Sequence, residues 1–223
     1  GSRAYCGFQE IILFNSLINN LKNIEEVIIF SGVNDLFMSR YIKNYDKILG
    51  PMFYTNEFNK NMSRGSNWKK KLKNIFSDFS FKKNNINEDN LKDLNQNIFE
   101  IVKRNLFCWF NIKHGMKIKL SFFLQPMANW CRREWSIEEK SIFKELDKIS
   151  VKTNEIFKLI DLEVYNEYKI FLSKLCKELN IDFFDCNEFL SNNEYDNKWL
   201  FVDRIHLTNL GNKIITDFIR SKL

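Results

Sequence analysis

Three short apolar runs limit what this chain can fold into. They are Val27-Ile-Ile-Phe30, Lys117 to Leu124 (KIKLSFFL) and Ile181-Asp-Phe-Phe-Asp185. The first is apolar on both faces, the pattern of a buried parallel strand. It ends in Ser31-Gly32-Val33-Asn34-Asp35, a tight-turn signal, and the second ends in Gln125-Pro126, where proline cannot continue a ladder. Stretches of helical period lie between them. Ile11, Ile12, Phe14, Leu17, Ile18 and Leu21 predict a helix over 8–21, and Leu91 to Leu106 predict one over 88–112. Ser136-Ile-Glu-Glu139 is a capping box opening a helix to about 149, and a single helical run is expected over 154–179. Leu210, Ile214, Ile215, Phe218 and Leu223 mark a C-terminal helix, with Thr208 as N-cap and Asn209 as the alternative. Helices alternating with strands predict an α/β fold with a parallel sheet, whose ligands bind at the carboxyl ends of the strands.

Composition sets the outer bounds. At 223 residues, 44% of them hydrophobic, the chain fits one domain with a substantial core. The formal charge of +6 comes from lysines interspersed with acids, which reads as a solvated surface. Cys6, Cys108, Cys131, Cys176 and Cys186 are scattered without a C-x-x-C pair or clustered histidines. That pattern argues against a zinc site and a disulfide framework, and favours a reducing, cytoplasmic setting. No apolar stretch is long enough to span a bilayer.

Residues 36–88 lack clean periodicity and read as an insertion. Its aromatic first part (Phe37, Tyr41, Tyr45, Phe53, Tyr54, Phe58) suits a lid or substrate wall, since long loops in compact domains are usually functional. Trp68 beside Lys69, Lys70 and Lys71 could stack on a base, but such a run is more often one exposed helix face, so nucleic acid is not the expected partner. His114, followed by Gly115, reads as a helix C-terminal cation with a glycine cap. Asp185 reads as a turn cap. Arg132, Arg133 and Trp135 fit either an anionic or sugar substrate or a solvent-facing loop.

The candidate chemistry lies in Asp203-Arg-Ile-His206, just ahead of the C-terminal helix. A carboxylate three residues before an imidazole can take its N–H, fix the tautomer and favour the imidazolium formed during proton transfer. An Asp capping the turn beside a packed His is the plainer alternative.

Gly32-x-Asn34-Asp35 and Asp203-x-x-His206 together resemble two of the four blocks of the SGNH (GDSL-type) hydrolases, serine esterases on a flavodoxin-like three-layer α/β/α sandwich. The resemblance implies that Asn34 donates its amide to an oxyanion, that His206 is the general base and that Asp203 orients it. The family's second block, Gly-x-x-x-Tyr-x-x-x-Gln-Glu, resembles Gly1 to Glu10 and makes Gly1 a backbone oxyanion donor. Asp35, Gln125, Asn129 and Trp130, on the same expected rim, are the substrate-binding candidates. The family's first block, which carries the nucleophilic serine and two strands, has no counterpart here and is expected upstream, Ser2 being the alternative nucleophile. The implied activity is hydrolysis or transfer of an acyl group on a carbohydrate or small-molecule ester, with no cofactor or metal. A non-catalytic domain binding a ligand through the same pocket is the rival reading.

Overall fold

The structure, a computed structural model, describes residues 6–41 and 88–223. The elements run α1 (Gly7–Leu17), a 3₁₀ turn (Ile18–Asn20), β1 (Glu26–Ser31), α2 (Val33–Tyr41), α3 (Glu88–Met116), β2 (Lys119–Leu124), α4 (Ile137–Ile149), α5 (Val151–Leu159), α6 (Leu162–Glu178), β3 (Asp182–Asp185), α7 (Cys186–Leu190), a second 3₁₀ turn (Asn193–Tyr195) and α8 (Asn209–Arg220). The strands form one parallel sheet in the order β1-β2-β3. Phe30 pairs with Phe123, and Phe123 with Phe184.

The sheet has a core on each face. Successive strand residues point to opposite sides, so Phe122 joins one buried cluster and Phe123 the other. The larger core packs Ile29, Leu120, Phe122 and Leu124 against α1, α3 and α6 through Ile11, Ile98, Ile101, Tyr168 and Leu172. The smaller packs Phe123 with Phe143 of α4, Leu190 of α7 and Ile215 of α8. Each fully buried side chain of this size contributes about 1.5–3 kcal/mol.

β1 departs from the expectation of a strand buried on both faces. Ile28 and Phe30 are 39% and 37% exposed. The reason is position: among the described residues β1 is a sheet edge, paired only to β2, and no helix covers the face that these two side chains occupy. Asn34 and Asp35 fall in the first turn of α2 rather than in an open loop. Residues 36–41 complete that helix, with Leu36 fully buried, so these six residues, expected as the start of an insertion, belong to a regular element instead. The rest of it, the Trp68–Lys71 run included, lies outside the described residues, as do Gly1 and Ser2.

The run expected as one helix over 154–179 is two. α5 ends at Leu159, and Asp161 caps α6 by accepting from the backbone N–H of Glu163 (3.0 Å) and Val164 (3.1 Å). α3 runs on to Met116, which leaves His114 in its last turn, as expected, but puts Gly115 inside the helix. Lys117, at φ 57°, takes the left-handed position that glycine usually fills. The Ser136–Glu139 capping box and the Thr208 cap, whose hydroxyl accepts from Gly211 N–H at 3.1 Å, both form. All five cysteines are free thiols, and no described helix is long and apolar enough to cross a membrane.

Candidate functional site

A cleft of about 1340 Å³ opens along β1, between α1, α2, the α4–α5 corner and the 202–206 turn. Its walls are largely apolar, from Leu13, Phe14, Ile28, Phe30, Phe37 and Phe157. Its polar groups include Asn34, Gln125, Asp203 and His206. Four of the expected site residues, remote along the chain, therefore face one space.

The acid–imidazole pair is built by a local hairpin. Phe201 and Leu207 form an antiparallel bridge, and Val202 N–H donates to His206 C=O at 2.8 Å. Inside the loop, Asp203 Oδ1 accepts from the N–H of both Ile205 and His206 at 2.8 Å, and Asp203 Oδ2 lies 2.7 Å from His206 Nδ1. One carboxylate thus caps the turn and holds the ring, a geometry compatible with both the structural and the chemical reading of Asp203. With Nδ1 engaged by the acid, the other ring nitrogen, Nε2, is left to exchange a proton with a ligand. The imidazole is 55% exposed. Behind the hairpin Gly211 is required for close approach, because a Cβ there would fall 2.4 Å from Leu200 C=O.

Arg204, inside the motif, carries no role in the sequence reading, yet it anchors the turn. Its guanidinium donates to Asn129 Oδ1 (2.6 Å) and Asp147 Oδ2 (2.8 Å) and lies 5.0 Å from the ring centre of Phe143, with Trp135 and Phe157 also within 6 Å. Its C=O accepts from Ala128 N–H at 2.9 Å, fastening the turn to the loop after β2. The only signal for this in the sequence is an arginine flanked by two site residues.

The other candidates serve the fold. Asn129 is the acceptor that holds Arg204. Trp130 is fully buried, donates its indole N–H to Ile160 C=O at 2.9 Å and stacks on Tyr165, so it packs the core rather than meeting a substrate. Asp35 is 3% exposed and accepts from Gly7 N–H at 3.0 Å, pinning the start of α1 to α2. Arg133 is likewise internal: it pairs with buried Glu139 and donates to the C=O of Tyr195 and Lys198. Asp185 is the α7 N-cap, receives the Tyr165 hydroxyl at 2.6 Å and helps to raise that phenol's pKa beyond the effect of burial.

Glu10 is the residue most easily overlooked. It lines the cleft from α1 and accepts from Ser31 Oγ at 2.9 Å. Burial pushes its carboxyl up to about 7, the Ser31 bond opposing and nearby Asp35 adding to the rise. Among the described residues no three His, Cys, Asp or Glu side chains group so as to hold a metal ion. No protein-family model matches this chain, and no curated protein matches it either.

Proposed function

We propose that the chain belongs to a serine ester hydrolase of SGNH type, acting on an acyl ester of a carbohydrate or small molecule. The observation that carries this reading is the Asp203–His206 pair, closed at 2.7 Å and opening on the same cleft as Asn34. His206 takes the proton of an attacking serine hydroxyl, and Asp203 stabilises the imidazolium that results. Asn34 donates its amide to the oxyanion of the tetrahedral intermediate, a contact worth about 3 kcal/mol of barrier in comparable sites. The nucleophile in this reading is a serine N-terminal to the described residues. Among the described residues the β1 edge is open and Ile28 and Phe30 are exposed, which supports a further strand at this edge, because it would extend the sheet and cover apolar surface.

The test uses the full-length protein and a panel of acyl esters. A serine-directed fluorophosphonate should label it, and His206→Ala should lower kcat by about 10²–10⁴-fold. Unchanged ester cleavage in His206→Ala, or no labelling of an active preparation, ends the esterase reading and leaves the cleft as a binding pocket.

A further inference from the structure

Behind the cleft floor lies a second, much smaller cavity of about 20 Å³, with Glu10, Ser31, Asp35, Asn105 and Tyr168 as its polar wall. Two of these residues are unsatisfied. Among the described residues, neither amide atom of Asn105, which is 4% exposed, has a hydrogen-bond partner, and the hydroxyl of fully buried Tyr168 has none. Leaving such groups dry costs about 1–3 kcal/mol each. Both line the same cavity, and two glycines leave room beside them: a Cβ on Gly7 would lie 3.1 Å from Asn105 Nδ2 and 3.4 Å from Asp35 Oδ2, and one on Gly32 would lie 3.6 Å from the Tyr168 hydroxyl. Neither glycine has a Cβ, so this space stays open.

The volume admits one water-sized molecule, for which about 10–15 Å³ suffices. An apolar occupant would leave the amide and hydroxyl unpaired, and an anion would face two carboxyl groups. A metal cation is disfavoured as well. Asp35 already takes the Gly7 N–H at the positive end of α1, and Glu10 holds its proton to about pH 7, chiefly through burial. That leaves little uncompensated charge for a cation to neutralise.

We propose that this cavity is a built water site, in which one internal water held by Asn105 and Tyr168 hydrogen-bonds the cleft-facing carboxyl of Glu10. Glu10 lines both spaces, so the water gives the cleft floor a hydrogen-bonded connection to the protein interior. The floor then changes character near neutrality: a hydrogen-bond donor while Glu10 keeps its proton, an acceptor once it is lost. The titratable and charged groups around it are Asp35 from α2 and Tyr168 from α6, with Cys6 and Cys176 close to Tyr168. Across the cleft lie Asp147–Arg204 and Asp203–His206, each already paired. Ester chemistry plays no part in this inference.

A crystal structure of the full chain, with a second crystal soaked in rubidium, tests the occupant. One water peak bonded to Asn105 and the Tyr168 hydroxyl is expected; a dry cavity or an anomalous rubidium peak overturns the proposal. Carbon-13 NMR titration of labelled Glu10 tests the wiring. Tyr168→Phe removes only the hydroxyl and Asn105→Leu fills the space with an apolar group of similar size. Each should move the Glu10 midpoint upward by losing a donor to its carboxylate, whereas Asp35→Asn should move it downward. A midpoint unmoved in both Tyr168→Phe and Asn105→Leu overturns the connection even if the water is seen.

Discussion

The two faces of the sheet hold a buried carboxyl group in different ways. On the α8 face, Glu139 is fully buried and almost fully employed. Its Oε1 accepts from Arg133 and from the N–H of Leu200 and Phe201, both at 2.9 Å, and its Oε2 accepts from Ser136 N–H at 2.9 Å. On the α1 face, Glu10 has the Ser31 hydroxyl, while the Asn105 amide and the Tyr168 hydroxyl beside it have no hydrogen-bond partner among the described residues. A well-bonded buried carboxylate is a strut. One set beside unspent donors and acceptors, and lining both the cleft and the small cavity, has room for a bridging water. The Asp203–His206 hairpin hangs from the strut: Leu200 and Phe201, which Glu139 holds, lead into it, and Thr208 N–H closes it onto Leu200 C=O at 2.8 Å.

The sharpest way to break this contrast is Glu139→Ala. It strands the Arg133 guanidinium and three backbone N–H groups, those of Ser136, Leu200 and Phe201, in the interior, and should cost about 3–5 kcal/mol in urea unfolding. A loss under about 1 kcal/mol would mean that Glu139 is not a strut.

On the other face the sign reverses. The Glu10 carboxyl rises from an ordinary 4.5 to about 7 on folding, so the folded state favours its protonated form. Its contribution is most favourable below pH 4.5 and is lost as pH rises toward 7 and beyond. Glu10→Gln, fixed in the neutral form, should match the parent near pH 4.5 and exceed it by up to about 3 kcal/mol at pH 8. Chemical denaturation across that range checks it, and parallel curves would place Glu10 in ordinary solvent.

Gly211→Ala probes how tightly the hairpin seats. Its new methyl group runs into Leu200 C=O, and overpacking of this kind costs about 1–3 kcal/mol. In an active full-length protein kcat should fall more than KM rises, because the acid–imidazole hairpin shifts. The smallest effect is expected of Thr208→Ala, which removes one helix cap worth about 1 kcal/mol, read as a modest drop in Tm.

Local features were legible in the sequence and remote contacts were not. The three strands, the Ser136–Glu139 box, the Thr208 cap and the Asp203–His206 spacing are each written within a few residues, where backbone hydrogen bonding and side-chain reach decide the outcome. The break between α5 and α6 was also signalled locally, by Asp161 as a cap, but a hydrophobic period that continues across Ile160 conceals it. Trp130 looked like a site residue because it follows a strand. Only the stacking on Tyr165 and the bond to Ile160 C=O, 30 residues away, put it inside. Arg204 gains its role from Asn129 and Asp147, and Glu10 from burial beside Ser31 and Asp35, surroundings that no pattern of spacing points to.

The opposed burial of Phe122 and Phe123 in β2 reaches into how such a chain can diverge. Inserting or deleting a single residue in that central strand would exchange its two faces at once, sending Leu120, Phe122 and Leu124 toward α8 and Phe123 toward α3. Drift in length is therefore shut out of the middle of the sheet and pushed into the connections between its elements, where a residue gained or lost leaves both layers in register.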